Sequence, residues 1–323
     1  MKRILVTGAT GFVGKAIVEE LMGKGFDVYT CAKSENSALP KYFSVDITSK
    51  ESVARLAGEL PELDCVIHSA GLAHQFKAPK DSNIFTAVNV GGTQLMAELA
   101  AKKYCKKFIL VSSISVYGDG KPNPTDEGVL CEPAGPYAVS KYEAELAAQD
   151  ICQSNNIDLA ILRLATVYGP GDVGNVLRLI KLVDSGKFFW TGDGGNNKSL
   201  LFVSDAARAC RIAMEKNQAG THVYNVTDAP HTMREIVETI AGELGKKIPG
   251  FTIPSGLIKT ALGAAGKLPA VGERARGLAE SLKKWRSDDV LAGEKIEREL
   301  NFKTEVPLTR GIKKETAWYL SNK

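Results

Sequence analysis

A chain of 323 residues, 44% hydrophobic and 24% charged, has a soluble globular composition and is long enough for one large core or two modest ones, so two lobes are expected. Its 41 Lys and Arg against 37 Asp and Glu leave a formal charge of +4 with scattered basic residues, which argues against nucleic acid as a partner and leaves room for a local cluster around a small anion. No apolar run nears the roughly 20 residues of a membrane span, Met1-Lys2-Arg3 leads straight into Ile4-Leu5-Val6 without a signal peptide, and the dispersed six cysteines and four histidines have neither disulfide nor metal spacing, so a cytoplasmic, metal-free protein with reduced thiols is expected.

Short β-branched runs alternate with helical patterns through the first half. Strands are expected at Ile4 to Val6, Asp27 to Cys31, Cys65 to Ser69, Lys107 to Ser112 and Asp158 to Leu164. Helices are expected between them, near 12–23, 49–60, 83–103 and 136–154. That alternation implies right-handed crossovers and a parallel sheet covered on both faces, a doubly wound α/β domain. After Tyr168-Gly169-Pro170-Gly171 the rhythm loosens into helices near 174–185, 204–216, 232–244 and 288–300. The expected division is a first domain over 1–167, to which 199–227 returns through Ser199 to Val203 and His222 to Val226, and a smaller, mixed C-terminal lobe from 168–198 and 228–323. Gly and Pro concentrate in 249–272, the segment expected to be mobile.

The first strand meets the first helix at Thr7-Gly8-Ala9-Thr10-Gly11-Phe12-Val13-Gly14, the strand-turn-helix context that a phosphate-binding glycine loop requires. Gly8 permits the tight turn, Gly11 lets backbone N–H groups approach a pyrophosphate and Gly14 allows close helix packing, while the helix N-terminus favours the anion. Thr10, Phe12 and Val13 complete the loop. The spacing is G-x-x-G-x-x-G rather than the dehydrogenase G-x-G-x-x-G, and a plain tight turn is the competing reading. A Rossmann-type dinucleotide site is the expectation. The second strand ends in Cys31-Ala32-Lys33-Ser34, with no carboxylate for the ribose hydroxyls of NAD. Lys33 and Ser34 can hold a 2′-phosphate, so NADP is favoured over NAD unless Lys33 is an ordinary loop charge. Asp46 is placed to accept from the adenine amino group, with Ile47 as an apolar wall.

Tyr137 and Lys141 stand four apart on one helical face, behind Pro136 where a helix can start without an N–H. A free tyrosine has a pKa of about 10, too high for proton exchange near neutrality, and a nearby ammonium lowers it. Lys141 then tunes Tyr137 and can bind the nicotinamide ribose. Ser113, at the carboxyl edge of the strand from Lys107, can hydrogen-bond the reacting oxygen. Tyr137 and Lys141 alone match two surface residues at helical spacing; Ser113 and the glycine loop make them a catalytic set.

Six ordered blocks carry a resemblance: Thr7 to Gly14, Val66 to Gly71, Asn89-Val90-Gly91-Gly92-Thr93, Ser112 to Gly118, Tyr137 with Lys141, and Leu162-Arg163 to Gly171. Over nearly its whole length the chain resembles the extended short-chain dehydrogenases/reductases, in the nucleotide-sugar epimerase, dehydratase and 4-ketoreductase group. The resemblance gives Ser113, Tyr137 and Lys141 the catalytic roles and adds Ser69, Ala70, Gly71, Asn89 and Val167 to the cofactor contacts. It implies a UDP-linked nucleotide-sugar substrate and a homodimer formed by the helices near 83–103 and 136–154.

Dehydratases of the group carry an Asp-Glu pair directly after the serine, where this chain has Ile114-Ser115. Without those acids, hydride transfer at carbon four remains. Reduction of a UDP-4-keto sugar is placed ahead of 4-epimerisation of a UDP-hexose or UDP-N-acetylhexosamine with tightly bound NAD. The resemblance lays the helix at 174–185 over the nucleotide, so Asn175, with Val176 and Arg178, is expected at the diphosphate. Lys198, where many relatives have an arginine, and Arg286 are further diphosphate candidates, each equally readable as a solvated charge. Thr166 stands where epimerases tend to have an asparagine, and with Ser113 and Ser115 it is expected at the sugar. His68 reads as packed core, and Tyr117 and Trp190 as pocket lining or packing. A small-carbonyl reductase, lacking diphosphate ligands, and a non-catalytic dinucleotide sensor, lacking Tyr137 and Lys141, are the competing classes.

Overall fold

The strand runs are apolar along most of their length, the pattern of strands buried on both faces of a parallel sheet. Ile4, Leu5 and Val6, Val66 and Ile67, and Phe108, Ile109 and Leu110 are all fully enclosed. The computed structural model describes residues 1–35, 38–72, 83–250, 252–253 and 285–323.

The chain opens with β1 (Arg3–Thr7), α1 (Phe12–Gly23), β2 (Asp27–Ala32), β3 (Tyr42–Ser44), α2 (Lys50–Glu59) and β4 (Cys65–His68). One helix was expected over 83–103; the structure divides it into α3 (Asn83–Phe85), a π-helical stretch Thr86–Gly91 and α4 (Gly92–Lys102). Next come β5 (Lys107–Ser113), a 3-10 turn Ile114–Tyr117, α5 (Pro136–Ser154), β6 (Asp158–Leu164) and β7 (Thr166–Tyr168). They are followed by α6 (Asn175–Asp184), β8 (Asn197–Lys198), β9 (Leu200–Phe202), α7 (Val203–Glu215), β10 (Thr221–Val226), β11 (His231–Thr232) and α8 (Met233–Leu244). The described chain closes with α9 (Glu294–Leu300) and α10 (Leu308–Ser321).

Seven strands form one parallel sheet in the order β10-β6-β5-β4-β1-β2-β3. Chain order reverses between β1 and β4, and in such sheets ligands bind at that reversal, beyond the carboxyl ends of the strands. The register sets Thr7 beside His68 and Cys31, and Ser113 beside Leu164. The chain divides into two compact units: 1–167 with 203–227 and 291–305, and 168–202 with 228–290 and 306–323.

Three expectations are corrected. His222 to Val226 lies in the large sheet within β10, but Ser199 to Val203 does not return to it; β9 belongs to the second unit. The helix expected over 288–300 begins only at Glu294. Residues 288–289 are extended instead, because Asp289 N–H donates to Asn197 O at 2.9 Å, Ser199 N–H donates to Asp289 O at 2.8 Å and the Asp288 carboxylate accepts from Asn197 N–H at 2.7 Å. The third is α10, absent from the expected helices although Leu308 and Ile312 are buried one turn apart behind Pro307. Of the stretch 249–272, only 249–250 and 252–253 are among the described residues, so its expected mobility lies outside them; so does His74. Among the described residues no helix is long and apolar enough to cross a membrane. All six cysteines are free thiols.

Candidate active site

At the carboxyl end of β1 the chain turns on Gly8, φ +65°, a conformation that side chains other than glycine's rarely adopt. Gly11 N–H closes the turn on Gly8 O at 2.9 Å. A Cβ on Gly8 would lie 2.7 Å from the Ala70 backbone, and one on Gly14 only 2.1 Å from Gly8 O. The loop is thus a bare-backbone cradle, with Gly11 as N-cap of α1 and Phe12 and Val13 half-buried in its first turn. Thr7 Oγ1 accepts from Ala70 N–H at 3.1 Å and lies 2.8 Å from His68 Nδ1, tying the exits of β1 and β4 together. This cradle fits a pyrophosphate, whose oxygens take backbone donors at a helix N-terminus.

On the rim, Thr10 Oγ1 and Ser34 Oγ lie 3.1 Å apart. Lys33, singled out for a 2′-phosphate, instead forms an ion pair with Asp46 at 2.7 Å. Asp46 also accepts from Thr48 N–H and Oγ1 at 3.0 and 2.7 Å, and with Lys33 the larger cause these bonds hold its carboxyl at about 2. Ile47 is buried against α4, where a Cβ on Gly92 would approach its Cδ1 to 2.6 Å.

Beyond β4, Ser69 and Ala70 are half-buried and Gly71 is exposed. Asn89, buried in the π-helical stretch, accepts from Leu72 N–H at 2.7 Å and donates to Leu72 O at 3.2 Å and Ser140 Oγ at 2.9 Å. It therefore pins the loop after β4 to α5, the helix that carries Tyr137 and Lys141. A Cβ on Gly71 would lie 4.0 Å from Lys141 Nζ.

Tyr137 opens α5 just after Pro136, its ring edge-on to Phe85 at 6.3 Å, and its hydroxyl is hydrogen-bonded to Ser113. Ser113 Oγ also accepts from Ser115 N–H at 3.2 Å, capping the 3-10 turn, while the buried Ser115 hydroxyl has no partner among the described residues. Lys141 is buried one turn beyond Tyr137 and donates to Val111 O at 2.7 Å. Burial pulls its pKa down to about 8, Glu145 opposing. The net shift on Tyr137 is upward: burial outweighs the bond to Ser113, so the lowering expected from Lys141 is not the result. His68 is buried beside this set and burial, then Lys141, lowers it to about 3, leaving it neutral. Sequence reasoning missed the buried carboxylate behind Lys141: Glu145 takes Arg163 through both oxygens. A charge inside the apolar run Asp158–Leu164 was its signal, since a buried guanidinium demands a partner.

Thr166 and Val167 are half-buried in β7. In the second unit, Asn175 stands exposed as the first residue of α6, Val176 is buried and Arg178 half-buried. Lys198 Nζ donates to Ser287 O at 2.6 Å, which draws it to the segment carrying the exposed Arg286. Tyr117 and Trp190 are both buried. Among the described residues no three His, Cys, Asp or Glu side chains gather to hold a metal.

A profile of the NAD dependent epimerase/dehydratase family matches residues 4–227. The N-acetyl-alpha-D-glucosaminyl-diphospho-ditrans,octacis-undecaprenol 4-epimerase of Escherichia coli O157:H7 is 30% identical over 256 residues, covering 78% of this chain and 75% of its own. The UDP-glucose 4-epimerase of Mycolicibacterium smegmatis is 30% identical over 264 residues, 75% of this chain and 83% of its own. The solved UDP-glucose 4-epimerase of Thermus thermophilus in complex with NAD superposes with a TM-score of 0.75 at 26% identity, over 98% of this chain and 99% of that one. The family profile spans both the glycine loop and the Ser113, Tyr137 and Lys141 set, and the chain belongs to the NAD dependent epimerase/dehydratase family.

Proposed function

We propose that the chain catalyses NAD(P)-dependent oxidoreduction at carbon four of a UDP-linked sugar, and that its net reaction is reduction of a 4-keto form. The observation that carries this reading is the hydrogen bond between Tyr137 and Ser113 in front of the buried Lys141. Burial raises Tyr137, so the phenol keeps its proton near neutrality and is present as the acid, and the positive charge of Lys141 is what eases its release. Ser113 orients the accepting oxygen by a hydrogen bond, and Lys141, as an ammonium, stabilises the phenolate left behind. A nicotinamide held by the cradle and by Lys141 supplies the hydride when bound. Dehydration is set aside because Ile114 and Ser115 offer no acid pair after Ser113.

The cradle, Ser69 to Gly71, Asn89 and Val167 are assigned to the dinucleotide. Asn175, Val176, Arg178, Lys198 and Arg286 are assigned to the nucleotide diphosphate, and Ser115 and Thr166 to the sugar. Residues 1–167 with 203–227 would thus serve the dinucleotide, and 168–202 with 228–290 and 306–323 the nucleotide sugar. Lys33 and Ser34 support NADP, whereas the Lys33–Asp46 pair favours NAD by occupying the lysine. A homodimer through 83–103 and 136–154 is supported by the exposed Val139 and Leu146 on α5. Six free thiols support a reducing, cytoplasmic setting.

A second reading, 4-epimerisation, is favoured by the two 4-epimerases at 30% identity. One experiment separates the readings: denature purified protein, identify the released dinucleotide, and assay a UDP-4-keto sugar, UDP-sugars and a polyprenyl-diphosphate sugar with and without NADPH. Reduction is expected only with added NADPH. Interconversion of sugars without added cofactor, with NAD released on denaturation, would replace reductase by epimerase.

A further inference from the structure

Arg163 sits inside β6 among Leu159, Ala160, Ile161, Leu162 and Leu164, all buried. A guanidinium there is tolerated only if a carboxylate meets it. Glu145 does: Arg163 Nε donates to Oε1 and Oε2 at 3.1 and 3.2 Å, and Nη2 to Oε2 at 2.7 Å. Ser112 Oγ donates to the same carboxylate, and the Arg163 guanidinium lies 4.8 Å from the Tyr117 ring centroid. An apolar pair of equal volume commonly holds a helix to a sheet as well as a buried ion pair does, so this one calls for another role.

Its position supplies that role. Glu145 follows Lys141 by one turn and Tyr137 by two on α5. Ser112 precedes Ser113 on β5, and Lys141 donates to Val111 O on the same strand. The carboxylate therefore joins both elements that carry the catalytic set. Resting on the reading of Tyr137 and Lys141 above, we propose that Glu145, shared with Arg163, is a positioning residue that holds Lys141 as an ammonium and fixes α5 against β5 so that Tyr137 meets Ser113.

The other groups around Lys141 and around the ion pair leave this task to Glu145. His68 on β4 is neutral, and Tyr137 keeps its proton. Tyr117 on the 3-10 turn and Cys131 beside the ion pair are pushed upward by burial and stay uncharged. Asn89 on the π-helical stretch and Ser140 on α5 are neutral by chemistry. Burial favours loss of the Lys141 proton and Glu145 opposes it, and the same carboxylate is paired with Arg163 at 2.7 Å.

The test follows the sign of each charge. Glu145→Gln removes the carboxylate and leaves Arg163, so Lys141 loses its proton at lower pH; Arg163→Gln leaves the carboxylate unshared, so Lys141 keeps its proton to higher pH. The readout is the titration of the Lys141 13Cε resonance in lysine-labelled full-length protein, assigned by its loss in Lys141→Arg. Midpoint shifts of roughly one pH unit in opposite directions are expected, with the alkaline limb of kcat moving alike. Glu145→Met/Arg163→Met, which removes both members of the pair and so strands neither, is expected to fold with a midpoint below that of the unaltered protein. Midpoints that stay put or move together in the single variants, or an unmoved midpoint in the double variant, would overturn the proposal. Turnover surviving in Tyr137→Phe while the midpoints move would instead sink the acid/base reading and leave the assignment of Glu145 to the charge of Lys141.

Discussion

Two ion pairs in the first unit share an N–O separation of 2.7 Å and little else. The Lys33 and Asp46 side chains are 81% and 33% exposed, those of Arg163 and Glu145 only 7% and 3%. Water screens the first pair, and exposed pairs contribute up to about 1 kcal/mol. The second has given up its hydration, so its partners depend on one another, and losing one strands a charge at about 3–5 kcal/mol. Equal lengths therefore carry unequal consequences. The rim of the site can exchange its partners, whereas the charges behind Lys141 cannot be separated.

The contrast is sharpest in the chemistry of the buried end. Tyr137→Phe removes one hydroxyl and is expected to lower kcat by about 10²–10⁴-fold while cofactor binding survives, as steady-state kinetics and dinucleotide titration would read. Near-normal turnover would take Tyr137 out of the mechanism. Next in size, Arg163→Ala should cost about 3–5 kcal/mol in urea unfolding, against under about 1 kcal/mol for Asp46→Ala; equal losses would erase the distinction.

The rim pair has its own pH signature. The folded Asp46 carboxyl, at about 2, lies below its ordinary 3.8, so any stability it adds is full above pH 3.8 and lost as pH falls through 2. Solvent screening keeps that contribution under about 1 kcal/mol. A stability gap between the unaltered chain and Asp46→Asn should therefore be small at pH 6 and vanish near pH 2. A gap that persists there would mean that packing, not charge, holds Asp46. The smallest effect is expected from Lys33→Ala, which should weaken NADP by a few-fold more than NAD. Equal weakening would make Lys33 a bystander of the Asp46 pair.

The same contrast governs what could be read from the sequence. Strands β1, β4, β5 and β6 were legible because burial on both faces writes uninterrupted apolar runs, and α1 and α5 because a glycine loop and Pro136 mark their starts. The placing of Tyr137 and Lys141 one turn apart on α5 was legible from their spacing. Residues 288–289 were not, because two aspartates before a helical pattern look like its first turn, and only pairing with Asn197 and Ser199 makes them extended. The sequence leaves Lys33 open between a phosphate ligand and an ordinary loop charge because its partner Asp46 lies 13 positions away, across β3. Glu145 was passed over since nothing in its local pattern distinguishes it from a surface glutamate, whereas Arg163 inside an apolar strand already announced a missing carboxylate.

The crowding between Gly8, Gly14 and Ala70 bears on how this protein can change. With no room for even a methyl group, Gly8 and Gly14 are closed to substitution, so sequence change in the turn between β1 and α1 is confined to the positions between them. In a library randomised across this loop, viable clones altered at Gly8 or Gly14 should be almost absent.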